Sequence, residues 1–243
     1  MGYGLASSER PTQDGPRVDQ TDTPPIDQPR PERERLFNAP WTIVALPALL
    51  IGLYAAQPIV LSDPQVEHWS LTWAALAAGR WQTLVTALFL HASWAHVLMN
   101  SVTILAFGPP AARLMGTDAR GAAAFYAFYL TCGVLAGLGF LAVDPGNAIG
   151  VVGASGAVSG LLGAASRIIE GHGRIGPIFG RTVLGMALAW TIANVILGVT
   201  GWTPGAAGLQ VAWQAHLAGY LAGVLLIGPF ARLSGATAAA FTQ

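Results

Sequence analysis

Three short stretches of the sequence carry side chains that together suit nucleophilic catalysis. The first, HVLMN, places His96 and Asn100 four residues apart, and therefore on one face of a helix. The second, GASGAVSGLLG, holds Ser155 between glycines, and the third, AWQAHLAGYLAG, holds His216. A serine hydroxyl is a poor nucleophile until a base removes its proton, and histidine is well suited to be that base. These residues predict acyl transfer by an activated serine.

An acyl-transfer site also needs hydrogen-bond donors directed at the oxyanion of the tetrahedral intermediate. The backbone N–H of Ser155, at a helix N-terminus, is one such donor, and His96 and Asn100 can supply others. A catalytic triad would need an Asp or Glu, but no carboxylate lies within the predicted spans, so the sequence favours a dyad of Ser155 and His216. No HExxH motif or further ligand completes a metal site with His91 and His96, so no metal and no cofactor are expected.

The elements that must position these residues are membrane helices. Of the 243 residues, 53% are hydrophobic and only 10% are charged, whereas a soluble domain is typically about 25% charged. Uncharged apolar runs of membrane-spanning length recur along the chain. They predict six transmembrane helices, at roughly 41–61, 94–112, 121–143, 153–166, 183–199 and 212–231. We expect an all-α polytopic membrane protein that contacts the lipid bilayer and does not bind nucleic acid.

The distribution of arginine predicts the orientation in the membrane. If the Pro-rich residues 1–35 form a disordered cytoplasmic tail, every arginine except Arg80 falls on the cytoplasmic side of the membrane domain, 36–232. Both termini are then cytoplasmic, and residues 233–243 form a short second tail. The Trp-rich loop 62–93 is expected to lie on the outer leaflet. We expect a multi-pass protein of a bacterial inner membrane.

The fourth predicted helix is too short to cross the bilayer alone. Residues 155–166 extend over about 18 Å, against a hydrocarbon core about 30 Å thick. The outer end of this helix, with Ser155, is therefore expected below the outer surface, at the floor of a water-filled cavity. Close contact between the fourth and sixth helices would bring Ser155 to His216. Small residues four apart on each helix predict this contact: Gly156, Gly160, Gly219 and Gly223.

The three stretches together resemble the rhomboid family of intramembrane serine proteases. HASWAHVLMNSVTILAFG, GASGAVSGLLGA and AHLAGYLAG match the family patterns H-x-x-x-N, G-x-S-G and A-H-x-x-G-x-x-x-G, in the family order. The resemblance covers about residues 65–231. It implies a rhomboid-like bundle of six transmembrane helices that hydrolyses peptide bonds in or beside the transmembrane segments of its protein substrates.

The resemblance also implies a role for each residue of the motifs. Ser155 corresponds to the nucleophile and His216 to the base. His96 and Asn100 correspond to oxyanion donors, and Gly153 is grouped with them because it leaves room for the backbone at that turn.

The sequence departs from the family pattern in two places. Many members carry an arginine after the tryptophans of the first outer loop, where this sequence has Gln82 and Thr83. Many also carry an aromatic residue four positions after the serine, stacked on the histidine, where this sequence has Ser159. Neither change removes a catalytic atom, but each leaves open which group holds the loop and which holds the histidine.

Other interpretations remain at the level of sequence. Ser155 could be a small packing residue, and His96 with Asn100 could join helices by hydrogen bonds. A rhomboid-like protein that escorts membrane proteins would not need both Ser155 and His216. A small transporter would often show internal repeats, and the two halves of this chain show no convincing similarity. We therefore expect a protease.

Overall fold

Long α-helices form the part of the chain that carries the motifs. The computed structural model describes residues 1–2, 39–146, 150–201 and 211–236, in which no β-strand occurs. A 3₁₀ turn, Ala87–Phe89, follows directly after the short helix Thr83–Thr86. The described residues contain α1 (Trp41–Val60), α2 (Asp63–Trp69), α3 (Trp73–Ala77), α4 (Thr83–Thr86), α5 (Trp94–Met115), α6 (Ala119–Val143), α7 (Ser155–Glu170), α8 (Arg181–Thr200) and α9 (Trp213–Ser234).

Several of these helices are long and apolar enough to cross a membrane. Among the described residues, α1, α6, α8 and α9 each meet this requirement alone. The pair formed by Thr83–Phe89 and α5 meets it together, with a bend of 96° between its two parts. The chain is therefore an integral membrane protein, and the part of it that the structure describes is all-helical, with four or five candidate spans. A helix occupies each of the six predicted segments, whereas the count of six membrane crossings stays a prediction.

Local capping interactions set the ends of the site-bearing helices. The hydroxyl of Ser93 accepts a hydrogen bond from the N–H of His96 and so starts α5. The carboxylate of Asp118 does the same for Gly121 at the start of α6. Gly201 and Gly235, both in the left-handed conformation, end α8 and α9.

The helix that begins with the candidate nucleophile lies at the centre of the fold. Twelve of the sixteen residues of α7 are buried, because α5, α6, α8 and α9 all pack against it. Large side chains fill the remaining space between α5, α6 and α7. They include Ile104, Phe125, Phe128, Tyr129 and Leu161. The first residue of α7 is therefore held by a packed core.

The C-terminal boundary predicted for this helix was wrong by one turn. The prediction ended at residue 166, before the charged Arg167, but α7 continues to Glu170. The guanidinium of Arg167 donates to the carbonyl oxygens of Gly176 and Val224. Because these bonds satisfy the charge, the helix does not have to stop there. At sixteen residues, α7 is about 24 Å long and still shorter than a bilayer core of about 30 Å.

The helix α8 lies at the edge of the bundle. Of its twenty residues only Val183 and Asn194 are buried, while apolar side chains such as Leu188 and Val199 are exposed. Most of the two predicted tails, 1–35 and 233–243, lies outside the described residues. The helix α9 continues to Ser234 and so includes the first two residues of the second predicted tail. The division into a membrane domain and two tails stays a prediction.

Candidate active site

The side chains of Ser155 and His216 meet at the N-terminal ends of α7 and α9. Oγ of Ser155 lies 2.8 Å from Nε2 of His216, although the two residues are 61 positions apart in the sequence. The packing of the two helices, rather than the local chain, therefore brings them together. A hydroxyl bonded to an imidazole nitrogen is the pair that an activated serine requires.

Glycine contacts allow α7 and α9 to approach backbone to backbone. A Cβ added at Gly219 would overlap the carbonyl oxygen of Gly156, and one added at Gly223 would overlap that of Gly160. The two glycines of α7 also face side chains of α6, so α7 is in close contact on two sides. All four glycines named in the sequence analysis lie at helix contacts. Their contacts set the separation between the first turns of α7 and α9.

Backbone hydrogen bonds hold the segment that leads into Ser155. Leu71 and Val151 exchange both of their backbone hydrogen bonds, each 3.0 Å long. The N–H of Gly153 donates to the carbonyl oxygen of Ala87 over 2.8 Å. The connection between α1 and α5 therefore supports the turn before α7. The N–H of Ser155, in the first turn of α7, has no partner within its own helix and can serve a ligand.

Gly153 gives the ring of His96 its place beside this turn. Gly153 has φ +115°, a conformation that favours glycine, and a Cβ there would overlap the imidazole of His96. Its own N–H is bonded to Ala87. The contribution of Gly153 to the site is therefore the space it leaves, rather than a hydrogen bond to an oxyanion.

Asn100 lies on the same helix face as His96 but is bonded to another histidine. Its Nδ2 donates to Nε2 of His91 over 3.1 Å. His91 is completely buried, and its backbone N–H and carbonyl both bond to the side chain of Gln57. The rings of His91 and His96 meet edge to face, 5.1 Å between centroids. Since an amide has two N–H donors, Asn100 keeps one for a further acceptor.

Two residues of α8 contact His216, and the sequence analysis missed both. Oδ1 of Asn194 lies 2.5 Å from Nδ1 of His216, and the indole of Trp190 lies beside the same ring, 6.0 Å between centroids. Ser159, which stands where many relatives have an aromatic residue, donates instead to the carbonyl of Ser155. One signal was present: a single asparagine in the apolar run AWTIANVIL is costly at membrane depth unless it has a partner.

The loop 62–93 lacks the arginine that many family members carry after the tryptophans, but another arginine, Arg80, holds it in place. Arg80, directly before the tryptophan, donates to the backbone carbonyl of His68, and the hydroxyl of Thr83 donates to the carbonyl of Arg80 over 2.8 Å. The indole N–H of Trp73 donates to the carbonyl of Leu141 over 2.7 Å and ties the loop to α6. These bonds keep in place the connection that supports the turn before Ser155.

Two cavities differ in their relation to this site. A small one, about 20 Å³, is lined by Ser155 together with Leu88, Gly133, Ala136 and Gly153. A larger one, about 900 Å³, lies near the C-terminal ends of α5, α7 and α9 and touches none of the site residues. Within the described parts of the chain, no three His, Cys, Asp or Glu residues are grouped to hold a metal ion. The expectation of a metal-free site stays a prediction.

Comparison with known proteins gives consistent matches. A family model described as the Rhomboid domain matches residues 78–232, which contain Ser155, His216, His96, Asn100 and Asn194. A protein of Bacillus subtilis (strain 168) named "Putative rhomboid protease YdcA" is 34% identical over 131 residues, 53% of this chain and 61% of that protein. "Rhomboid-like protein 11, chloroplastic" of Arabidopsis thaliana is 34% identical over 151 residues, 60% of this chain and 51% of that protein. The matched regions thus span half to three fifths of these relatives.

Proposed function

The chain belongs to the rhomboid family, and from that premise we propose that it is an intramembrane serine endopeptidase. It cleaves peptide bonds in or next to the transmembrane segments of membrane proteins. The observation that carries the proposal is the separation of 2.8 Å between Oγ of Ser155 and Nε2 of His216. In this proposal, Ser155 is the nucleophile and His216 is the general base.

The reaction begins when Oγ of Ser155 attacks the carbonyl carbon of the scissile bond while its proton passes to Nε2 of His216. The carbonyl oxygen then carries the negative charge of a tetrahedral intermediate. His216 gives the proton to the leaving nitrogen as the C–N bond breaks, and an acyl-enzyme remains. Water, deprotonated by His216, hydrolyses this ester and restores the Ser155 hydroxyl.

In this proposal, three donors stabilise the oxyanion. The backbone N–H of Ser155 lies at the N-terminus of α7, where helix N–H groups have no internal partner. The His96 ring packs against Gly153, two residues before the nucleophile. Asn100 is fixed through His91 and has a second amide hydrogen to donate. Donors that are fixed before the reaction stabilise developing charge most effectively.

The membrane arrangement in this proposal has six spans, with both termini in the cytoplasm of a bacterial inner membrane. With this arrangement every arginine except Arg80 falls on the cytoplasmic side, which agrees with the positive-inside rule and supports the proposal. In this arrangement α7 is shorter than the hydrocarbon core of the bilayer, so its N-terminal end lies below the outer surface. Ser155 lies at that end, and water reaches it from outside through a cavity, which accommodates the non-helical turn at 151–153.

The substrates in this proposal are transmembrane proteins with a small residue at the cleavage site. The cavity next to Ser155 holds about 20 Å³, close to the space of one water molecule. Because the volume is so small, a bulky side chain has no room there, even though Gly133 and Ala136 in the wall are themselves small. An alanine or glycine next to the scissile bond fits without moving α6.

A cleavage assay with matched serine variants tests the proposed function. The full chain in liposomes, incubated with a single-span reporter protein, should cleave it, and Ser155→Ala or His216→Ala should reduce cleavage to background. Ser101→Ala is the control, since Ser101 is buried but bonds only to the Val97 carbonyl of its own helix. Cleavage at the wild-type rate by folded Ser155→Ala protein would contradict the proposal.

A further inference from the structure

Asn194 has an unusual position in a helix that otherwise faces outward. It and Val183 are the only buried residues of α8, and 1% of the surface of Asn194 is exposed. A polar side chain inside an apolar bundle needs hydrogen-bond partners, because an unsatisfied amide is costly there. Both ends of the Asn194 amide have one.

The two partners determine which way the amide points. Nδ2 of Asn194 lies 2.8 Å from the carbonyl oxygen of Trp190. A carbonyl can only accept, so the atom facing it must be the NH₂ group. The oxygen of the amide is therefore the atom that faces Nδ1 of His216, 2.5 Å away. The bond to Trp190, within the same helix, locks this orientation.

The orientation of the amide determines the tautomer of the histidine. Because Oδ1 of Asn194 can only accept, Nδ1 of His216 must carry the proton. In a neutral imidazole the other nitrogen, Nε2, is then unprotonated. Nε2 is the atom that lies 2.8 Å from the hydroxyl of Ser155, so this tautomer can accept the serine proton. The opposite tautomer would place an N–H against the hydroxyl and could not act as a base.

We propose that Asn194 is a positioning residue that holds His216 in the tautomer and ring orientation needed to take the proton of Ser155. The inference rests on the proposed function for its catalytic consequence, and it changes the expected dyad into a series of three hydrogen-bonded residues. An amide oxygen occupies the place that a carboxylate takes in a Ser-His-Asp triad. It accepts the imidazole N–H without bringing a charge into the membrane.

The neighbouring Trp190 completes the support from α8. Its indole lies beside the His216 ring at a tilt of 35°, on the helix that also supplies Asn194. Ser159 is turned away to the carbonyl of Ser155 and gives the ring no support. The hydrogen bond fixes Nδ1, and the indole limits the tilt of the ring, so α8 takes over the role that an aromatic residue on α7 would have.

The first measurement is made on the unaltered protein and does not depend on catalysis. In full-length protein with ¹⁵N-labelled histidine, the nitrogen chemical shifts of His216 report which ring nitrogen is protonated. They are assigned by their loss in His216→Ala. We expect the Nδ1–H tautomer in the wild type and also in Ser155→Ala, since Asn194 rather than Ser155 selects it. A wild-type protein with the proton on Nε2 would overturn the proposal.

Substitutions at Asn194 then connect the tautomer to turnover. Asn194→Leu keeps the approximate size of the side chain but removes the acceptor, so we expect a mixture of the two His216 tautomers. The kcat should fall by roughly tenfold, which corresponds to the loss of one hydrogen bond, and KM should be nearly unchanged. Asn194→Asp keeps an acceptor oxygen and should restore the Nδ1–H form and most of the kcat. If Asn194→Leu does not fold, the comparison of Asn194→Asp with the wild type still decides, and a loss of the Nδ1–H form in folded Asn194→Asp overturns the proposal.

A matched control on the same helix separates positioning from general damage to α8. Thr191 bonds to the carbonyl four residues earlier, at Ala187, as Asn194 does to Trp190. Thr191→Val loses the same kind of bond without touching His216, and it should leave the kcat and the tautomer unchanged. An equal loss of kcat in Thr191→Val and Asn194→Leu would overturn the proposal. Absence of cleavage by the wild type would contradict the proposed function instead, and the histidine shifts would still decide the role of Asn194.

Discussion

The carbonyl oxygen of Gly160 in α7 faces Gly223 in α9 so closely that a Cβ on Gly223 would overlap it. Between apolar helices in lipid the hydrophobic effect gives little attraction, so close backbone packing has a large share in holding them together. The same contact, one turn nearer the site, pairs Gly156 with Gly219. The distance between these two helices therefore controls whether serine and histidine meet.

Adding one methyl group to this contact should separate the helices. Gly223→Ala should lower the free energy of unfolding by about 1–3 kcal/mol and reduce cleavage, because α9 must shift away from Gly160. Thermal unfolding in detergent and the reporter assay measure both effects. Gly228→Ala is the control on the same helix, since a Cβ at Gly228 meets nothing within 4 Å. Equal stability of the two variants would contradict this account of the contact.

The turn before the serine should tolerate no side chain. Gly153→Ala places a Cβ in the ring of His96 and also strains a backbone with φ +115°. We expect a folded protein with much less cleavage, because His96 is displaced. Gly79→Ala separates the two causes, since Gly79 also has a positive φ, +78°, but open space around it. A comparable loss of activity in both variants would show that strain, and not the clash with His96, is responsible.

The amide of Asn100 should act mainly in the transition state. Asn100→Ala should lower kcat by on the order of 10²–10³, with little change in KM, because an oxyanion donor binds charge that forms only during the reaction. Steady-state kinetics in detergent measure both parameters. Thr103→Val on the same helix removes an exposed hydroxyl bonded only to Met99 and should have no effect. An unchanged kcat in Asn100→Ala would make Asn100 a structural partner of His91.

Much of the helical framework could be predicted from apolar runs, because each long segment is uncharged and bounded by polar or turn residues. The four glycines at the contact of α7 and α9 could be predicted from their spacing of four residues. The start of α7 was predicted at about residue 153, two residues before the observed start at Ser155. The extension of α7 through Arg167 could not be predicted, since the carbonyl groups that satisfy its charge come from Gly176 and Val224.

The parts of the site that depend on remote backbone groups were also beyond the sequence. The hydrogen bond from the N–H of Gly153 to the carbonyl oxygen of Ala87 joins two turns, and no sequence motif relates one turn to the other. Asn194 could not be predicted from the triad pattern, because that pattern has an Asp or Glu as its third residue, whereas an amide oxygen accepts the same hydrogen bond.

The position of the cut in a substrate should follow from the depth of Ser155. A substrate helix keeps its carbonyls in internal hydrogen bonds, so it must unwind before it can be attacked. We expect cleavage near the outer end of the substrate helix, next to a small residue, and slower cleavage when leucines replace weak helix formers around the site. Mass spectrometry of the products locates the cut. Cuts clustered at the cytoplasmic end would contradict both the proposed orientation and the placement of Ser155.

Labelling with a fluorophosphonate shows whether His216 activates Ser155. The probe reacts with an activated serine and forms a covalent adduct. We expect labelling of the wild-type protein at Ser155, identified by peptide mass spectrometry, and loss of labelling in Ser155→Ala and His216→Ala. An unlabelled, folded wild type, or undiminished labelling in His216→Ala, would contradict this expectation.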